Sequence, residues 1–128
     1  DDIALALPAL TRALKLQNKA AQVGFDWGEA APILDKIEEE IAELREEMSK
    51  GNTDKITDEF GDLLFAVVNL GRHLNVDPEE ALIRTNRKFT TRFHAIEKSL
   101  ANDNRSLDSA SLDEMEALWQ KAKETERS

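Results

Sequence analysis

Residues 32–75 carry apolar side chains at helical spacing on both sides of one break, Gly51-Asn52, and that arrangement leaves few ways to fold. Before the break, Ile33, Ile37, Ile41, Leu44 and Met48 form one stripe. After it, Ile56, Phe60, Leu63, Leu64, Val67, Leu70 and Leu74 follow one helical face. Two long helices joined by two or three residues lie side by side and antiparallel, because so short a connection permits no other return path. Only 5 Gly and 3 Pro among 128 residues suit long helices and leave little material for hairpin turns. The class expected is all-α, in a single domain over 1–128.

Punctuation along the chain places the other elements. Helix one is expected over 5–23, with Pro8 in its first turn and Gly24 closing it. Gly24-Phe25-Asp26-Trp27-Gly28 reads as a loop, and Pro32 opens helix two, which runs to Lys50. Thr53 is the expected N-cap of helix three, which runs to Asn75. Asp77-Pro78-Glu79-Glu80 combines an N-cap, Pro at the first helical position and an acid at the third, and starts a fourth helix that runs to Leu100. Ser111-Leu112-Asp113-Glu114 has capping-box spacing and starts a last helix through Trp119. The architecture expected is an antiparallel four-helix core plus this short C-terminal helix. Helix three carries Phe65 and Val68 away from its main stripe, so it is apolar almost all round. Four helices of one small chain do not cover such an element, and a homo-oligomer is expected.

Acidic residues outnumber basic ones, 26 to 17, and the net charge of −9 repels nucleic acid backbones and anionic membranes. Neither is an expected partner, and a phosphate ligand needs a metal or a local basic pocket. The absence of Cys excludes disulfides and thiolate metal sites. The longest apolar run, 63–68, is too short to span a bilayer, and no signal peptide is visible, so a cytoplasmic location is expected. An acidic start without Met is what a segment of a longer chain would show.

The acids on the first two long helices are the candidate chemistry. Reflecting the chain about residues 51 and 52 sets Glu43 opposite Glu59 or Phe60, and Glu40 opposite Asp62 or Leu63, level to within ~1.5 Å. Glu40 and Glu43 flank the first stripe beside Lys36 and Glu47, while Glu59 and Asp62 flank the second beside Lys55 and Asn69. Carboxylates converging at a core edge repel one another and lose hydration unless cations compensate. Oxygen-only ligands favour Mg²⁺, Mn²⁺ or Ca²⁺. The competing reading is a solvated acidic face, to which Glu38, Glu46 and Glu47 are assigned, and spacing alone does not decide between the two. Asp62 resists that reading best, set within Phe60-Gly61-Asp62-Leu63-Leu64-Phe65. Di-iron chemistry needs Glu-x-x-His pairs, but Leu70 and Thr91 stand three residues before His73 and His94. No loop has the alternating acids of an EF-hand.

Other residues could hold a nucleotide. Lys88 and Arg92 share a flank of helix four, placed to clamp a triphosphate or to pair with surface acids. Asn86 lies close to an apolar stripe, where an amide needs partners. Trp27 and Trp119 are able to stack on a base or to serve as packing aromatics. His73 and His94 lack a partner pattern that suggests catalysis.

These residues together resemble the MazG family of nucleoside triphosphate pyrophosphohydrolases, in particular the C-terminal domain of its tandem-domain bacterial form. The family signature EExxE followed by ExxD stands here as Glu39-Glu40-Ile41-Ala42-Glu43 and Glu59-Phe60-Gly61-Asp62. Similarity continues through Val23-Gly24-Phe25-Asp26-Trp27, Asp35-Lys36, Asn86-Arg87-Lys88-Phe89 and Arg92-Phe93. The resemblance implies an all-α fold that dimerises, dependence on Mg²⁺ with Mn²⁺ as a substitute, and cleavage of a nucleoside triphosphate to monophosphate and pyrophosphate. It matches Glu40, Glu43, Glu59 and Asp62 to the metal ligands. For the hydrolytic step, Glu39 is expected to assist as a base or as support behind those ligands. Lys36, Lys55, Lys88, Arg92 and Trp119 fall where the family contacts nucleotide, and Asn86 and Trp27 transfer more weakly. A narrower dUTP, dCTP or modified-nucleotide preference is one alternative, and a non-catalytic helical dimerisation module is another.

Overall fold

A computed structural model of the chain describes residues 7–26 and 28–127. Among these the regular elements are α1 (Ala9–Gln22), α2 (Ala30–Lys50), α3 (Thr53–His73), α4 (Pro78–Asn102), a short 3-10 turn (Leu107–Ser109) and α5 (Leu112–Arg127). The all-α class expected from the sequence holds. Two compact units divide the chain, one ending at Ala81 and the other beginning at Leu82.

In the first unit α3 packs against both α2 and α1. The connection between α2 and α3 is two residues long, within the two or three expected. Gly51 takes a left-handed φ of +71°, which a residue with a Cβ adopts only with strain, and donates its N–H to the Glu47 carbonyl at 3.1 Å. Asn52, not Thr53, caps α3, its Oδ1 accepting the Lys55 N–H at 3.2 Å. Helix α2 begins two residues before Pro32, because the first N–H groups of a helix have no internal acceptor and a proline there removes nothing. At its other end, α3 stops at His73 rather than Asn75. Asn75 turns to φ +58°, and the N–H groups of Asn75 and Val76 close the helix on the carbonyls of Arg72 and Gly71 at 3.2 and 2.8 Å.

In the second unit the Ser111 capping box forms as expected, with the Glu114 N–H donating to Ser111 Oγ at 3.1 Å and the Ser111 N–H to Glu114 Oε1 at 3.4 Å. Helix α5 runs on past Trp119 to Arg127, because Gln120-Lys121-Ala122-Lys123-Glu124 contains good helix formers and no Gly or Pro to stop it.

Burial is sparse. The first unit buries Ile33, Ala66 and Val68 together with the polar Gln17, Glu40 and Asn69, and the second buries Ile96 and Leu100. Ile41, Met48, Phe60, Leu64 and Val67, all on stripes expected to form core, are exposed.

Candidate functional site

The acids of α2 and α3 meet as the hairpin register requires. Oxygens of Glu40, Glu43 and Glu59 lie within 4.8 Å of one another. Glu40 is only 5% exposed, Glu59 is half-buried, and Glu43 faces solvent. Asp62 stands outside this trio but lines the same cavity as Glu40, and its charge acts on Glu59. Glu39 is exposed and contributes charge to the neighbourhood of Lys36.

Electrostatics follow from that crowding. The Glu59 carboxyl is pushed up to about 7, first by burial, then by a hydrogen bond with Glu43 and by the charges of Glu43, Glu40 and Asp62. Two carboxyls share a hydrogen bond only while one keeps its proton. Among the described residues, the buried Oε2 atoms of Glu40 and Glu59 have no hydrogen-bond partner. Lys36 Nζ sits 3.1 Å from Glu40 Oε1, and that hydrogen bond and charge raise the ammonium above its usual range, with Glu39 and Glu43 adding to it. Among the described residues, Lys36 is the cation seen paired with this cluster, against the three acids of the trio and Asp62 beside them. The set is all oxygen, partly buried and short of donors, which fits a hard divalent cation.

A cavity of about 330 Å³ opens beside the acids, lined by Pro32, Ile33, Lys36 and Glu40 of α2 and by Asp62, Phe65, Ala66 and Asn69 of α3. Asn69 was legible as a neighbour of the acidic flank, seven residues past Asp62, but nothing in its type singled it out. At the end of α3, Arg72 and His73 both meet Asp26 from the loop after α1. His73 thus has the acidic partner that its sequence neighbourhood did not reveal. Glu47, assigned to a solvated face, is half-buried, with Oε2 lacking a donor and Oε1 3.6 Å from Lys50 Nζ. It is one turn beyond Glu43 on the same flank.

Within the second unit Arg92 lies over the Trp119 ring at 5.3 Å and pairs with Glu126 at 3.0 Å, while Phe89 stacks on Phe93 at 5.8 Å and tilts against Trp119 at 5.4 Å. Arg92 and Trp119 therefore form one local group. Lys55, Asn86 and Lys88 are exposed, so Asn86 has no buried setting to demand partners. Trp27 lies outside the described residues.

The model of the MazG nucleotide pyrophosphohydrolase domain matches residues 29–96, a span that contains the whole acidic cluster and its cavity. The chain belongs to the MazG family. It is 44% identical over 128 residues to the nucleoside triphosphate pyrophosphohydrolase of Escherichia coli K12, covering 98% of this chain and 49% of that protein. It is 44% identical over 117 residues to the nucleoside triphosphate pyrophosphohydrolase/pyrophosphatase MazG of Thermotoga maritima, covering 91% and 45% respectively. The uncharacterized protein YabN of Bacillus subtilis is 46% identical over 128 residues, covering 99% of this chain and 26% of that protein. The chain thus spans about half the length, or less, of the curated relatives it matches. Among the described residues, no helix is long and apolar enough to cross a membrane.

Proposed function

We propose that this MazG chain hydrolyses nucleoside triphosphates to nucleoside monophosphate and pyrophosphate, with Mg²⁺ as the physiological cation and Mn²⁺ able to replace it. The observation that carries the reading is the pair of buried carboxylate oxygens, Glu40 Oε2 and Glu59 Oε2, that lack donors inside a trio spanning 4.8 Å. Glu40, Glu43 and Glu59 would hold the cation, with Asp62 completing the set from the cavity wall. When bound, the cation supplies charge neutralisation for the triphosphate and for the pyrophosphate that leaves.

The chain's own groups do the rest. Glu59 holds a proton against Glu43 near neutral pH and gives it up as the site fills. Lys36, fixed by Glu40 at the cavity wall, offers its ammonium to phosphate oxygens. Lys55 acts in the same electrostatic way, with no covalent part. Lys88 and Arg92 are proposed as phosphate contacts on the family resemblance alone. Water enters one phosphoanhydride bond, so one water is consumed and a proton is released with the two products. Glu39 supports this step as a base or by orienting the ligands.

A second copy of the chain is the proposed partner, since Phe60, Leu64 and Val67 leave an apolar face of α3 uncovered. Incubating the chain with ATP and Mg²⁺ and assaying pyrophosphate is the direct test. A non-catalytic helical module releases none, and loss of release with EDTA is expected.

A further inference from the structure

The cavity has a polar end that the acids do not supply. Asn69 is 5% exposed and lines it, seven residues past Asp62 on the same flank of α3 and so ~10 Å along the helix. On α2, Ile33 precedes Glu40 by the same seven residues. The cavity therefore has a carboxylate end and, two helical turns away, an end formed by Ile33 and Asn69. Pro32, Phe65 and Ala66 complete its apolar wall. A slot with charge at one end, apolar sides and one amide at the other has the layout of a nucleoside site.

The amide's orientation is settled by chemistry. Arg72 Nε and Nη2 donate to Asn69 Oδ1 at 3.2 and 3.0 Å. A guanidinium only donates, so the atom it meets must be the amide oxygen, and Nδ2 is the group left for a ligand. Arg72 is itself held. Its Nη1 donates to Asp26 Oδ2 at 3.2 Å, its Nη2 pairs with Asp26 Oδ1, and His73 Nε2 sits 3.0 Å from that same oxygen. With both lone pairs of Oδ1 engaged by Arg72, Asn69 presents donors alone to the cavity.

We propose that Asn69 reads the nucleobase through a keto oxygen placed where cytosine and adenine carry an amino group, and that Asp26 and Arg72 are positioning residues that fix the amide for this task. The inference rests on the pyrophosphohydrolase reading above. A donor-only amide accepts a keto edge and leaves two donors facing each other when an amino edge takes its place.

The test compares pyrophosphate release from UTP, GTP, CTP and ATP and their deoxy counterparts, by wild type, Asn69→Asp and Arg72→Lys, each with Mg²⁺. Asn69→Asp keeps the size of the side chain and the acceptor for Arg72 but exchanges the N–H donors for a carboxylate oxygen. The expected result is a wild type that favours UTP and GTP, and an Asn69→Asp variant whose kcat/KM for these falls at least ~10-fold relative to CTP and ATP, mainly through KM. Arg72→Lys loses the two-point hold on the amide and should weaken the same preference, again more in KM than in kcat. A merely structural brace would lower the thermal midpoint and leave the base order alone. An unchanged order in an active, folded variant overturns the inference, as does a shift that follows ribose against deoxyribose instead of the base. Should Asn69→Asp fail to fold by circular dichroism, Arg72→Lys decides. Absence of pyrophosphate from every nucleotide with the wild type overturns the proposed function itself, and the base reading falls with it.

Discussion

Because Glu59 sits half-buried against Glu43 and Glu40, its carboxyl titrates at about 7 and not at 4.5. The native state then binds a proton more tightly than the unfolded chain between those two values, so metal-free stability falls as pH rises through that window. Glu114 and Glu126 work in the opposite sense, held low by Arg105 and Arg92, but they matter only below their ordinary value of 4.5. Melting the wild type and Glu59→Gln in EDTA at pH 5 and pH 8 should therefore isolate Glu59 as the difference between them, with this carboxyl lowering the wild-type midpoint at pH 8. Magnesium should raise the midpoint more at pH 8 than at pH 5, and its binding should release a proton, read as a calorimetric heat that depends on the buffer. Glu59→Gln should flatten the pH slope and end turnover. Asp62→Asn should also end turnover, yet raise the metal-free midpoint, since one negative charge acting on Glu59 disappears; a lower midpoint would contradict this account. The acid pairs were legible in sequence because a two-residue turn makes register a matter of counting. Asn69 was not, since an amide near an acidic flank gains meaning only from its burial and from Arg72, whose contact joins two turns of one helix to a distant loop.

At the scale of elements, the α2–α3 connection sets the site, and its two residues have separate jobs. Gly51→Ala forces a Cβ into the left-handed region and should cost roughly 1 kcal/mol. Asn52→Ala removes the side chain that caps the Lys55 N–H and should cost about 1 kcal/mol. Both appear as lower urea midpoints at unchanged m-value, because neither alters the surface exposed on unfolding. The starts of α2 to α5 were readable from the sequence to within a residue or two, since caps are local chemistry: Asp77 accepts the Glu79 and Glu80 N–H groups at 2.9 and 3.3 Å, and the Ser111 box closes as its spacing requires. The start of α1 was not: it begins at Ala9 and not at residue 5, with Pro8 as its N-cap, because no capping side chain marks that end. Ends were harder. Helix α5 carries no stop signal after Trp119, and α3 ends where Asn75 turns left-handed, which its type permits without requiring.

For the molecule as a whole, the apolar pattern overestimated how much one chain buries. On α3, Phe60, Leu64 and Val67 share one face at i, i+4 and i+7 and are 52%, 44% and 45% exposed. Their periodicity announced burial correctly for a helix but says nothing about whose atoms provide it. Pairing with a second copy would remove this face from water, and a stable dimer needs about 800 Å² from each partner, more than three side chains supply. Ile41 and Met48 of α2 are exposed as well and extend the apolar supply. Sedimentation equilibrium at micromolar concentration should therefore give twice the chain mass of 14.4 kDa. Leu64→Glu places a charge in the middle of this face, so the variant should sediment as a monomer while keeping its helical circular dichroism. A wild-type monomer at that concentration would remove the second copy as the partner of α3, and a Leu64→Glu variant that stays dimeric would move the interface elsewhere on the surface.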